Sequence, residues 1–340
     1  MIIDAHAHVT APQELYEFFR SQSNMSGMGR AGGIRDPFPS DDRIEELLRP
    51  HLAEMDSAGT DFQLISPEPW ELPTAERRPL VQGVARQLND FVAACVRLHP
   101  DRFAGVAAVP QSLSLKPIES AREIDRCVND LGFVGVMLNP DPGEGGLETP
   151  HMGDDYWYPI YERMTELNVP GLIHAGNCRF ARQPMMDYVL QEENVTAYGI
   201  LRSPNLFRDF PTLKLIVAHG GGYVPYQFGR GRSFRLNEMR RAKTELETFE
   251  ESIKHLYFDT VLFDAKALSL LFRLVGVDRC LFGSDQPEYS SVIDPKTERS
   301  PHDIRPLIES IDWLTEADRR SLFEETTRKV FSRLKVPASA

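Results

Sequence analysis

Eight short apolar runs, spread over the whole 340-residue chain, constrain this sequence more than any other feature. They are IIDAHAH at 2–8, FQLISPE at 62–68, FAGVAAVP at 103–110, FVGVMLNP at 133–140, GLIHAG at 171–176, LKLIVAHG at 213–220, LYFDTVL at 256–262 and CLFGSDQ at 280–286. Each has the length and residue types of a buried strand. The segments between them carry helical periodicity instead, as in Val81, Val84, Leu88, Phe91, Val92 and Cys95, in Ala121, Ile124, Cys127, Val128 and Leu131, and in Ala265, Ala267, Leu268, Leu270 and Leu271. Strand and helix alternating eight times predict an α/β fold, a single (β/α)8 TIM barrel over residues 1–340. No solenoid-type repeat or low-complexity linker interrupts the pattern.

Boundary residues agree with this division. Asp42 with Glu45 has the pattern of a capping box, Pro50 suits a first helical turn, and Gly59 and Gly132 fall where helices should stop. Three connections, at about 9–41, 177–206 and 287–302, are too long for simple turns. Each follows a strand, so in a barrel each lies on the catalytic face, where together they are expected to form a pocket and lid. The first, with "NMSGMGRAGG", has a composition suited to a flap.

Composition narrows the function classes. With 41% apolar and 26% charged residues, the chain can bury a large core. A formal charge of -12 argues against nucleic-acid binding, which needs a basic surface. No leader pattern opens the sequence, and no apolar stretch approaches the roughly 18 residues that span a bilayer. Cys95, Cys127, Cys178 and Cys280 stand far apart without a CxxC pair, which fits reduced thiols and a cytoplasmic location.

The chemistry is expected at the strand ends. Side chains alternate along a strand, so His6 and His8 of "MIIDAHAHVT" point to one side. His174 in "GLIHAG", His219 in "IVAHGGG" and Asp285 in "FGSDQP" close three further strands. A single such histidine is ordinarily a hydrogen-bonded core residue, but five polar residues converging on one barrel face suggest a metal centre. His6, His8 and His174 supply imidazole nitrogens and Asp285 a carboxylate, a set suited to one Zn(II), with Mn(II) or Fe(II) as alternatives.

This pattern resembles the amidohydrolase superfamily, in the branch of aminocarboxymuconate-semialdehyde decarboxylase: HxH after the first strand, His after the fifth, His-Gly-Gly-Gly after the sixth and Gly-Ser-Asp after the eighth. The resemblance covers essentially the whole chain. Within the branch, "LISPEPW", "LNPDPGEGG", "YWYPIYERMTELNVPGLIH", "HGGGYVPYQFGR" and "LFGSDQPEYSSVIDPKTE" are similar to lignin-catabolic hydratases and zinc-dependent carbon–carbon hydrolases of ring-cleavage products. It implies that His6, His8, His174 and Asp285 are the metal ligands. His219 would sit beside the metal as an acid/base or polarising group, and Asp285 would share the proton transfer. Binuclear relatives carry Lys or Glu at the end of the fourth strand; Asn139 stands there in this chain, which implies one metal.

Two positions depart from those relatives: Asp285 replaces a Glu, and Ser66-Pro67-Glu68 replaces Ser-Pro-Arg. The first still leaves a carboxylate ligand. The second exchanges an arginine able to pair a substrate carboxylate for an acid that repels one, unless Glu68 points to solvent or to a nearby arginine. Further substrate-binding candidates are Asn139 at the end of the fourth strand, Arg179 and Tyr188 along the fifth-strand loop, and Arg230, which resembles a position that reaches a substrate carboxylate across a subunit boundary. Arg182 lies on the same loop as Arg179. Surface solvation, an ion pair or plain packing are the competing roles. Gly220, Gly221 and Gly222 serve backbone turning rather than phosphate binding, and His51, His99, His151, His255 and His302 receive no role. The expected partner is a small carboxylated molecule, and the resemblance implies a homo-oligomer.

The expected reaction is attack on an unsaturated keto acid from aromatic-ring cleavage, by carbon–carbon hydrolysis or by adding water to a double bond. Non-oxidative decarboxylation is the alternative, as in the parent branch. A barrel that only binds a small molecule is disfavoured, because five buried polar strand ends are costly unless something satisfies them.

Overall fold

The computed structural model describes residues 1–15, 17, 38–146, 148–179, 185–203, 205–242, 246–287 and 292–336. Seven strands form one parallel sheet in sequential order: β1 (Ile3–Val9), β2 (Phe62–Pro67), β3 (Phe103–Ala108), β4 (Gly135–Leu138), β5 (Gly171–Ile173), β6 (Leu215–Val217) and β7 (Leu256–Phe258). The expected eighth strand is not a regular one. Residues 280–286 nevertheless lie between the two sheet edges, forming single bridges from Cys280 to Phe258 and from Gln286 to Ala7. The amides of Leu281 and His8 donate to the carbonyls of Phe258 and Gln286, and Ala5 donates to Phe282. The segment departs from ladder geometry at Ser284 and Asp285, whose amides both turn to the His6 carbonyl.

Helices follow the strands, as the periodicity predicts: α1 (Asp41–Ala58), α2 (Arg78–Leu98), α3 (Pro117–Asn129), α4 (Tyr158–Leu167), α5 (Met185–Arg202), α6 (Phe228–Ala242) and α7 (Ala265–Val275). A last helical run, Glu316–Arg320 and Thr326–Val330, is joined through a π turn at Ser321–Glu325. In α2 the buried side chains Val81, Val84, Leu88, Phe91, Val92 and Cys95 make the stripe read from the sequence. Burying each such Val, Leu or Phe is worth about 1.5–3 kcal/mol, which is why the stripe fixes the helix against the sheet.

Three boundary expectations need correction. The cap of α1 is Ser40, whose hydroxyl accepts from Arg43 N, rather than Asp42, which lies inside the first turn. Pro50 falls within α1, not at a new start, because the apolar stripe of Ile44, Leu48 and Met55 carries the helix through it. Gly59 does cap α1, at φ 68°, a left-handed conformation glycine adopts without a Cβ penalty. The 177–206 connection is mostly helix rather than open loop: α5 occupies 185–202 because Tyr188, Val189, Glu193, Thr196, Ala197 and Ile200 form a buried face. Of the 9–41 connection, residues 16 and 18–37 lie outside the described residues, as do 180–184, including Arg182, and 288–291. Among the described residues, no helix is long and apolar enough to cross a membrane.

Candidate metal centre

β1 sets the geometry. Its pairing with β2 runs Asp4↔Gln63 and then Ala7↔Ile65, so β1 carries one residue more than its partner between these points. Such a bulge re-aims side chains next to functional sites. His6 and His8 emerge on the same side, with their Nε2 atoms 3.1 Å apart. Asp285 arrives from the barrel-closing segment with φ 61°, and His219, two residues after β6, has φ 51°. Non-glycine residues in this left-handed region are strained and persist only where their surroundings hold them. Two backbone hydrogen bonds hold them: Asp285 N donates to His6 O at 2.8 Å, and His219 N donates to Asp259 Oδ2 at 3.0 Å.

The four expected ligands come together. Asp285 Oδ1 lies 3.2 Å from His6 Nε2, 3.1 Å from His8 Nε2 and 3.9 Å from His174 Nε2. One donor atom from each of the four lies within 4.8 Å of the others, and all four residues are buried. Ligands about 2.1 Å from a tetrahedral ion stand about 3.4 Å apart, so the cage has the size of a first-row cation. The second ring nitrogens are all engaged elsewhere: His6 Nδ1 with Asp259 Oδ2 at 2.6 Å, His8 Nδ1 with Ser66 Oγ at 2.9 Å, and His174 Nδ1 with Ala175 O at 2.8 Å. Partners of this kind fix the tautomer that leaves Nε2 free to ligate. His174 Nε2 is buried and without a hydrogen-bond partner, an orphan that an ion would satisfy.

Electrostatics point the same way. Burial opposes a charge on His6, but Asp285 and Asp259 outweigh it and raise the imidazole to about 10. Burial, with help from His6 and His174, lowers His8 to about 4. Burial also works to raise Asp285, yet the surrounding histidines, His6 foremost, hold it well below the ordinary carboxylate range. The cage therefore attracts a positive charge, a proton or a cation, at His6, while His8 is held neutral.

His219 stands beside the cage, its Nε2 3.4 Å from Asp285 Oδ2 and its Nδ1 2.7 Å from Glu193 Oε2. Asp285 thus turns one oxygen to the three clustered histidines and the other to His219. Two residues of this arrangement were not anticipated from the sequence. Asp259, at the end of β7, takes His6 Nδ1 and the amides of His219, Gly220 and Val261. It stands in the middle of the run "LYFDTVL", directly after the last residue of β7. Glu193, fully buried on α5, takes His219 Nδ1 and Ala175 N.

The expected substrate-binding residues are more dispersed. Glu68 is fully buried rather than solvent-directed, and Thr10 Oγ1 donates to it at 3.2 Å. Asn139 is buried at the end of β4, its backbone pinned on both sides by the Gln111 amide and its Oδ1 accepting from Asp141 N. Tyr188 is buried, its hydroxyl donating to Asp141 Oδ2 at 2.8 Å. Arg179 is half-exposed and donates to Gly143 O at 2.7 Å. Arg230 is exposed on α6.

Residues 3–333 match the family model described as amidohydrolase. The chain belongs to the amidohydrolase family. Across 98% of its length this amidohydrolase is 36% identical to a 2-keto-4-carboxy-3-hexenedioate hydratase of a Sphingobium species, covering 97% of that protein. It is 29% identical, over 72% of its own chain and 78% of the relative, to a gamma-resorcylate decarboxylase of a Polaromonas species. Among solved structures, the 4-oxalomesaconate hydratase of Rhodopseudomonas palustris superposes with a TM-score of 0.84 at 30% identity, covering 98% of this chain and 96% of that one.

Proposed function

We propose that this amidohydrolase is a metal-dependent hydratase of an unsaturated, carboxylated keto acid of the 2-keto-4-carboxy-3-hexenedioate type. The observation that carries the reading is the full-length similarity to a hydratase of that compound, supported by the cluster of His6, His8, His174 and Asp285 with His219 beside it. His6, His8, His174 and Asp285 hold one divalent ion, and three imidazoles with one carboxylate favour Zn(II) over Mn(II) or Fe(II). When bound, the ion supplies Lewis acidity to an oxygen placed against it.

In such a substrate the 2-keto group withdraws electrons from the 3,4 double bond, so water adds with its hydroxyl at C4 and its hydrogen at C3. Asp285 Oδ2 accepts the proton that water loses. His219 Nε2, 3.4 Å away, gives a proton to C3, and the proton held on Asp285 Oδ2 then passes to His219 Nε2, which returns both groups to their starting states. Asn139 and Arg179 offer donors to the substrate carboxylates, and Glu68 excludes a carboxylate from its own corner. Tyr188 acts indirectly, by bracing Asp141. Arg230 is assigned to a substrate carboxylate in a homo-oligomer. Free cysteines, three of the four buried, support the cytoplasm as the working compartment.

The test is to supply 2-keto-4-carboxy-3-hexenedioate to the zinc-loaded protein and follow loss of the conjugated double bond together with released carbon dioxide. Loss of conjugation without gas supports hydration. Stoichiometric carbon dioxide would instead establish decarboxylation, which the gamma-resorcylate decarboxylase relative keeps as the second reading.

A further inference from the structure

We propose that Glu193 is the positioning residue for His219: one buried carboxylate on α5 that fixes the ring, its tautomer and its aim, and so makes α5 part of the proton-transfer apparatus. This rests on the hydratase reading for its kinetic consequence, though not for its geometry.

A buried carboxylate is expensive unless its oxygens are satisfied, and Glu193 has no solvent exposure. Its two oxygens serve two different strand ends. Oε2 accepts from His219 Nδ1 at 2.7 Å, after β6, and Oε1 accepts from Ala175 N at 3.3 Å, after β5 beside His174. Glu193 therefore spans the gap between a candidate metal ligand and the candidate acid/base, its Oε1 also lying 4.0 Å from His174 Nδ1.

The "HGGG" turn explains how a helix comes close enough. A Cβ on Gly222 would stand 2.6 Å from Leu190 O and 3.2 Å from Asn194 Cβ, so the helical turn bearing Glu193 lies directly on the glycine. Gly222 also has φ 59°, a second reason for glycine there. From the other side, Asp259 takes the amides of His219 and Gly220. Asp259 thus fixes the backbone of His219 and Glu193 fixes its ring. With the proton of Nδ1 donated to Glu193, the remaining nitrogen, Nε2, faces Asp285 Oδ2. A histidine that exchanges protons with substrate needs that nitrogen, in that direction, on every turnover.

The experiment compares wild type, Glu193→Gln, His219→Ala and the double variant as zinc-loaded proteins. Metal content, kcat and KM on 2-keto-4-carboxy-3-hexenedioate, and histidine-selective nitrogen NMR are recorded for each. Glutamine keeps the shape but has only one acceptor oxygen for two donors. Metal content is expected to hold, kcat to fall about 10²-fold with KM nearly unchanged, and the His219 Nδ1–H resonance to shift or broaden. In the His219→Ala background the same change is expected to cost less than about twofold, because a residue acting through His219 has nothing left to position. Equal kcat losses in both backgrounds, or unchanged kcat and NMR in Glu193→Gln, would overturn the proposal. If wild type does not turn over the compound, the hydratase reading fails and the spectra still decide the role of Glu193. The wild-type spectrum decides it even if Glu193→Gln does not fold: a His219 protonated only at Nε2 contradicts the geometry.

Discussion

Asp259→Asn separates the ligand cage from the residues that hold it in register. The Asp259 carboxylate accepts His6 Nδ1 at 2.6 Å and His219 N at 3.0 Å on Oδ2, and Gly220 N at 2.8 Å and Val261 N at 3.1 Å on Oδ1. Asparagine has one carbonyl oxygen, which can serve one pair, while its NH₂ faces the other. With the oxygen kept on Gly220 and Val261, the amide nitrogen faces His6 and His219. His6 can accept at Nδ1 only by moving its proton to Nε2, the nitrogen turned to the cage. The His219 amide is left without an acceptor, which costs about 1–3 kcal/mol of stability for a buried N–H. Losing the partner of a ligating histidine costs about 10- to 100-fold in metal affinity, or about 1.4–2.8 kcal/mol. Competition for zinc against a chromogenic chelator measures the second quantity, and denaturant unfolding of the metal-free protein measures the first. A variant that binds zinc and unfolds as wild type does would refute the claim that Asp259 sets the His6 tautomer.

Three other outcomes follow from named contacts. Gly222→Ala is expected to lower kcat while the metal content stays near wild type, because the new methyl meets Leu190 O at 2.6 Å and displaces the turn carrying Glu193; kinetics beside metal analysis check this. Burial and the neighbouring Asp141 raise the Glu192 carboxyl to about 7. A raised carboxyl pKa stabilises the fold fully below the unfolded value, and that contribution is lost as pH climbs through about 7, so Glu192→Gln should flatten the decline in stability between about pH 5 and about pH 8. Denaturation at both pH values reads this directly, and parallel curves for the two proteins would contradict it. Tyr188→Phe removes the hydroxyl donated to Asp141 and should destabilise the protein by about 0.5–1.5 kcal/mol with little change in KM, which thermal melting and steady-state kinetics resolve.

The barrel was legible because strand and helix periodicities differ, and short apolar runs recurred at regular intervals. His6, His8, His174, His219 and Asp285 were legible because each ends such a run, where a polar side chain has few reasons to be. Asp259 did not stand out, because it lies in the middle of the run "LYFDTVL" and not at its end, and the sequence does not mark that the strand stops at Phe258. Glu193 was harder: it belongs to the acidic stretch "QEEN", which reads as solvent-facing, and only its helical alignment with Val189, Thr196, Ala197 and Ile200 marks it as buried. The irregular eighth strand was not legible at all. Its departure from the ladder is set by Asp4, which draws in Ser284 N and Oγ, and by the His6 carbonyl, which takes the Asp285 amide. Those are contacts between residues some 280 positions apart.

The proposed centre holds one divalent ion between three histidines and one aspartate brought from three segments of the chain. Its most direct measurement is the metal content of purified protein, for wild type and for His174→Ala, after dialysis against a weak chelator. His174 is the informative choice because its Nε2 is the buried orphan of the cage and its Nδ1 is already bound to Ala175 O. Close to one ion per wild-type chain is expected, and near-complete loss in the variant, with the barrel still folded by circular dichroism. A folded His174→Ala protein that keeps its full complement of metal would contradict it.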